Sequence, residues 1–178
     1  SKEMDTVLND AEIQKKFTIT LDSLNEILVT FPKYLPALSE KAKVLMMIGD
    51  WEQSIETCNR IFSIEKNDIT ANKIVLFNIL AREGTIEVFI QKFAEFLSLI
   101  EQIEPKNIDL MLETSKLFSR ISGSDPNIIK LTISILNKCR KINPIEVDFA
   151  IEMANQYVMV KDYSQGFNLY QEAASLDD

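Results

Sequence analysis

The chain has 178 residues, 46% of them hydrophobic, which suffices for one ordinary domain with a buried core. Its formal net charge of −8 speaks against nucleic acid and against an anionic lipid surface, since both call for basic stripes. There is no histidine, so Ser-His-Asp and Cys-His catalysis and the commonest metal ligand are removed together.

No apolar run approaches ~18 residues, so no membrane-spanning helix is expected. Residues 1–16 are mostly polar and charged and do not read as a signal peptide. The first residue is Ser rather than Met, and the chain reads as a fragment of something longer. Cys58 and Cys139 lie far apart in sequence and read as small buried hydrophobes, not as a disulfide framework.

Taken in order, Phe17, Leu21, Leu24, Ile27 and Leu28 place one apolar stripe on a helix over 17–30. Pro32 disfavours helical geometry at Phe31, and Pro36 suits the first turn of the next helix. That helix carries Ala37, Leu38, Lys41, Ala42, Leu45 and Ile48, and Gly49 supplies a left-handed cap. A third helix runs from Trp51 to Ile64 with Ile55, Cys58, Ile61 and Phe62 inward. Residues 69–82 are almost wholly apolar from Ile74 to Ala81, which predicts burial on most sides. After Gly84, residues 85–103 form a long helix with Phe89, Phe93, Phe96, Leu97 and Ile100 inward.

Residues 108–121 follow, with Leu110, Thr114, Leu117, Phe118 and Ile121 on one face. Gly123 to Pro126 forms a longer turn, with Asp125 as N-cap. Helices over 127–142, 146–160 and 163–175 complete the chain. The β-branched Thr18-Ile19-Thr20 and Ile27-Leu28-Val29-Thr30 are outweighed by the helical spacing around them.

The turns recur in phase. Gly49-Asp50-Trp51, Arg82-Glu83-Gly84-Thr85-Ile86 and Lys161-Asp162-Tyr163 each separate two amphipathic runs. A helix–turn–helix unit repeating roughly every 34–40 residues is the signature of a helical solenoid, a class that binds more often than it catalyses. The expected fold is an all-α, right-handed superhelical solenoid, a single array with helix pairs at 1–34, 35–67, 68–106, 107–144 and 145–178. Further repeats are expected beyond both ends.

This spacing resembles the tetratricopeptide repeat. Ala42 and Ala154 match its small position in the first helix, and Trp51 and Tyr163 its turn aromatic. Ser54 and Gly166 match the small position early in the second helix, Ala173 a later one, and Pro32, Pro105 and Pro144 the exit. Phe89 and Thr132 stand where a small residue is usual, so the middle repeats depart from the pattern. More specifically, Phe31-Pro32-Lys33-Tyr34-Leu35-Pro36-Ala37-Leu38 and Asp50-Trp51-Glu52-Gln53 resemble the tetratricopeptide repeat protein 21 family. So do Glu104-Pro105-Lys106-Asn107 and Leu117-Phe118-Ser119-Arg120. The likeness spans about residues 31–178.

That resemblance implies a non-enzymatic scaffold, a subunit of intraflagellar transport complex A acting in retrograde ciliary transport, ciliogenesis and trafficking of ciliary membrane cargo. Its implied partners are the other subunits of that complex, with no small-molecule substrate and no cofactor. Its implied location is the cytoplasm, the cilium and the ciliary base.

Repeats of this kind usually bind along the face lined by their first helices. By phase, that face shows Lys43, Met46, Met47, Asn78, Arg82, Lys116, Arg120, Asn155 and Met159. Lys43, Lys116 and Arg120 make either a basic spot for an acidic peptide or helix, or a solvated surface. Met46 and Met47 are either an adaptable contact patch or core fillers.

Two rival functions share this face. A co-chaperone clamp for carboxylate tails matches Lys116, Arg120 and Asn78, but Met47 stands four after Lys43 where that clamp needs Asn. An auxiliary subunit of an N-terminal acetyltransferase is the other. Carboxylate pairs such as Glu101 with Glu104, and Glu146 with Asp148, read as solvated surface. No Gly-rich phosphate loop and no metal-spaced cysteine cluster is present.

Overall fold

The computed structural model describes residues 2–82, 84–104, 107–121 and 125–177, except for the side chains of 2–9, 108, 115, 117–119 and 121. Among the described residues there are nine helices and no strand. They are α1 (Lys2–Thr30), α2 (Leu35–Met47), α3 (Trp51–Ile64), α4 (Ile69–Ala81), α5 (Ile86–Ile103), α6 (Ile108–Ile121), α7 (Pro126–Ile142), α8 (Val147–Met159) and α9 (Tyr163–Leu176). They fall into two compact units, Ser1–Thr85 and Ile86–Asp178.

Residues 1–34 hold one helix where a pair was expected. No Gly or Pro precedes Pro32, and the polar early residues are good helix formers, so nothing stops α1 from running back to Lys2. Thr18 and Thr20 are accommodated because their hydroxyls donate one turn back, to the carbonyls of Gln14 at 3.0 Å and Lys16 at 2.9 Å. Only a narrow stripe of α1 is covered: Leu28 is buried, and Phe17, Leu21 and Leu24 are half-buried.

In the first unit α1 packs on α2, α2 on α3, and α4 on both α2 and α3. The core gathers Leu28, Ala37, Leu38, Ala42, Cys58, Ile61, Ala71 and Ile74. Trp51 is half-buried and lies against this cluster with Ile55 and Phe62. The α2–α3 turn is three residues, Ile48, Gly49 and Asp50. Gly49 adopts φ 83° and Asp50 follows. Asp50 N–H donates to Leu45 O at 2.9 Å and Gly49 N–H to Met46 O at 3.1 Å, closing α2. The Asp50 carboxylate accepts from Gln53 N–H at 3.2 Å, opening α3.

The same device joins α8 to α9. Asp162 N–H donates to Tyr157 O and Lys161 N–H to Val158 O, each at 2.9 Å, and Asp162 caps Gln165 N–H at 3.3 Å. Here the left-handed residue is Lys161, at φ 64°, a conformation that costs an L-residue about 1–2 kcal/mol.

Small residues let the paired helices close. Ser54 is fully buried and its hydroxyl donates to Ala42 O on α2 at 2.8 Å. At the matching place in the last pair, a Cβ on Gly166 would lie 2.9 Å from Val158 Cγ2 and 3.3 Å from Ala154 O. The expected roles of Ala42, Ser54, Ala154 and Gly166 are thus seen as contacts.

In the second unit α5 packs on α7, α7 on α6 and α8, and α8 on α9. Phe89, Phe93, Phe96, Leu97 and Ile100 of α5 are all buried, and the Phe89 and Phe93 rings stack at 5.8 Å. Asp125 caps α7 through the N–H groups of Asn127 at 2.9 Å and Ile128 at 3.3 Å, with Pro126 in the first turn. Thr132 is buried and its hydroxyl donates to Ile128 O at 2.9 Å. The buried Thr114 hydroxyl has no hydrogen-bond partner among the described residues. The expected side-chain positions of Leu117, Phe118 and Ile121, the turn at Gly123 and Ser124, and the exit Pro105 lie outside the described residues.

Two substitutions separate turn from seam. Lys161→Gly removes the left-handed penalty and should raise the thermal midpoint by about 2–4 °C. Gly166→Leu should destabilise by about 1–3 kcal/mol through overpacking, read as a lower urea midpoint at unchanged slope.

Candidate partner-binding face

The first-helix residues predicted to meet a partner divide between the units. In the first unit they stand on α2 and α4, which pack side by side. Lys43 is exposed, its ammonium 3.6 Å from the Glu40 carboxylate in a solvated pair one turn back along the helix. Such a pair contributes little to stability, roughly 0.3–0.5 kcal/mol. The two methionines part company. Met46 packs against the core cluster, whereas Met47 is 57% exposed. The core-filling reading therefore applies to Met46 and the open-surface reading to Met47.

Asn78 is half-buried, and its amide oxygen is buried without a hydrogen-bond partner among the described residues. Leaving such an acceptor unmade costs about 1–3 kcal/mol. Arg82 is exposed and ends α4, its backbone N–H donating to Asn78 O at 2.9 Å.

In the second unit Lys116 is half-buried and Arg120 exposed, four apart on α6 and so on one side of it. Arg120 lies in the last turn, where the helix dipole favours a cation. Neither pairs with a carboxylate among the described residues. Asn155 is partly engaged already, because its carboxamide oxygen accepts the Tyr170 hydroxyl of α9. Met159 is half-buried.

Other polar features were not legible from spacing. On α8, Gln156 donates from Nε2 to Glu152 Oε1 at 3.2 Å, and both side chains are buried. Lys41 has its pKa lowered by burial first and by the neighbouring Arg60 second, with Glu56 opposing. A shallow cleft of about 550 Å³ runs between α5 and α7, bounded by Glu87, Ile90, Gln91, Asn127, Lys130, Leu131 and Ser134. Among the described residues no group of three His, Cys, Asp or Glu side chains converges as metal ligands do, and no helix is long and apolar enough to cross a membrane.

Both cysteines are fully buried free thiols. Burial pushes Cys58 from 9.0 up to about 11, with Asp68 adding to it. Burial likewise raises Cys139 to about 11, with a hydrogen bond opposing and Glu101 adding. Cys139 Sγ rests 3.9 Å from Met111 Sδ. The arrangement offers open helix faces with donors and acceptors, and inert thiols rather than nucleophiles.

A match to the family model described as the second ARM domain of tetratricopeptide repeat protein 21 covers residues 91–178. Human tetratricopeptide repeat protein 21B is 27% identical over 167 residues, 94% of this chain. Human tetratricopeptide repeat protein 21A is 29% identical over 173 residues, 93% of this chain. The chain is thus similar to the tetratricopeptide repeat protein 21 family over nearly all of its length. It spans 13% of the length of these relatives.

Among solved structures, a crystal structure of MamA superposes with a TM-score of 0.62 at 14% identity, covering 95% of this chain and 87% of that one. A thermophilic TPR protein of Thermus thermophilus gives 0.58 at 12% identity, covering 94% and 86%. These likenesses bear on the fold alone, and they agree with the all-α tetratricopeptide architecture.

The thiols carry a pH signature. Below about pH 9 folded and unfolded chains both keep the thiol protons, so there is no difference between them. Between about 9 and 11 the unfolded chain releases protons that the folded chain retains, and stability is lost as pH rises. The thermal midpoint of a Cys58→Ala, Cys139→Ala variant should fall less steeply over that window than the parent's.

Proposed function

We propose that this stretch is a non-enzymatic protein–protein interaction segment of a scaffold subunit of intraflagellar transport complex A. In that reading it serves retrograde transport and membrane-cargo trafficking in the cilium and at the ciliary base. The observation that carries the proposal is the family match, with the human relatives aligned over 93–94% of the chain. The open faces of α2, α4, α6 and α8 are in keeping with binding to other subunits of that complex. Lys43, Met47, Asn78 and Arg82 are the contacts proposed for the first unit, while Met46 packs against the core. Lys116, Arg120 and Asn155 are those proposed for the second. An acidic helix or extended peptide suits these donors and cations.

The test is affinity purification of the full-length protein from ciliated cells, with mass spectrometry of what co-elutes. Recovery of the other complex A subunits is expected. Recovery of a heat-shock chaperone or an acetyltransferase in their place overturns the ciliary reading. A Lys116→Gln, Arg120→Gln variant should lower partner recovery about fivefold, on the scale of ~1 kcal/mol for partly exposed charge pairs. Its thermal midpoint should stay at the parent value, since neither cation supports the fold through an ion pair among the described residues.

A further inference from the structure

Four linkers of this chain close in the same way, as a β-turn whose fourth N–H donates to its first carbonyl. Tyr34 donates to Phe31 at 3.1 Å, Asp68 to Glu65 at 3.3 Å, Asn107 to Glu104 at 2.9 Å and Glu146 to Asn143 at 3.4 Å. Three of these turns have polar residues at both ends. Asp68, Asn107 and Glu146 each accept a backbone N–H of the helix that follows. Glu65 and Glu104 bond within their own turns.

The turn between α1 and α2 has Phe31 and Tyr34 in those places. Tyr34 gives α2 no side-chain cap, a task for which aspartate or asparagine is far better suited. The core does not use the rings either, since Phe31 is 63% exposed and Tyr34 51%. The fold therefore gains nothing from aromatic residues that it could not gain from polar ones. A β-turn holds its first and last Cα within about 7 Å, so the two rings rise from neighbouring points.

Cations surround them. Lys33 is exposed within the turn, and Arg60 of α3 donates from Nη2 to Pro32 O at 3.2 Å. That bond fastens the turn to α3 and leaves other guanidinium N–H groups for a further acceptor. Neither cation forms an ion pair among the described residues. Lys41 adds to the crowding: burial first, then the Arg60 charge, lowers its pKa, with Glu56 opposing.

We propose that the Phe31–Tyr34 turn docks a short acidic segment of another protein, with an apolar side chain against the two rings and carboxylates on Lys33 and Arg60. Exposed aromatic and arginine side chains are the usual anchors of such contacts, and the uncompensated charge selects the acidic partner. Two cations on a chain of net charge −8 are too few to hold an anionic lipid surface. The site is an edge of the first unit, apart from the helix faces assigned above, and it does not rest on the ciliary reading.

Photocrosslinking in cells tests it, with benzoylphenylalanine in place of Phe31 in the full-length protein. The crosslinked peptide, read by mass spectrometry, should come from another protein and carry an apolar residue flanked by Asp or Glu. Its yield should fall about tenfold in Lys33→Glu and in Tyr34→Asp. Hydrogen exchange along α2 should be no faster in Tyr34→Asp than in the parent, because aspartate there can cap the helix. Faster exchange assigns Tyr34 to the fold and overturns the proposal. So does a crosslink to lipid, to the same polypeptide or to a segment without acidic residues, a yield unchanged by Lys33→Glu, or one no higher than from a probe at the exposed Gln53.

Discussion

The close approach of paired helices is the constraint from which the rest of this structure follows. Helices at about 8–10 Å leave no room for a large side chain at the crossing. That is why Ser54 meets the Ala42 carbonyl directly, and why a Cβ at Gly166 would press on Val158 and the Ala154 carbonyl. Such proximity also demands a turn of minimal length. A left-handed residue followed by an aspartate closes one helix and opens the next with nothing in between, at Gly49-Asp50 and again at Lys161-Asp162. Turn and seam are two aspects of one geometric requirement. Where the linker is longer, before Asp125, the helices it joins bury Thr114 and Thr132.

Much of this was legible in the sequence because it depends on local chemistry. Gly49 as a helix end, Asp125 as a helix start and the buried phenylalanines of α5 all follow from residue type and spacing. The long α1 was not anticipated in full, since an amphipathic pattern marks the part of a helix that is covered and is silent about the part that is solvated. Residues 10–16 are exposed, so no apolar rhythm announces them. The two methionines show a second limit. Met46 and Met47 are neighbours with the same propensity, and only the rotation of α2 against the core sends one inward and the other out. The Lys161 turn was legible as a position but not as a conformation, because a lysine gives no sign that it will adopt a positive φ.

The faces available to partners are polar and shallow, and their donors and acceptors are spread over separate helices. In the proposed partner-binding reading, Asn78 and the cations of α6 would give specificity by hydrogen bonding and charge, and the exposed Met47 an adaptable apolar contact. Recognition of this kind reads an extended or helical segment over its length. It suits a scaffold, whose task is to hold several proteins in register rather than to enclose one small molecule.

The helix contacts within each unit join elements that are adjacent or next-but-one along the chain. This bears on how the protein is made. Synthesis at about 5–20 residues per second delivers a helix pair every few seconds, whereas local helical contacts form in microseconds to milliseconds. Each pair can therefore assemble on the ribosome before its successor has emerged, and no strand or helix has to wait for a distant partner. A polypeptide several times this length gains most from such an order, since at no stage does much uncovered apolar surface accumulate.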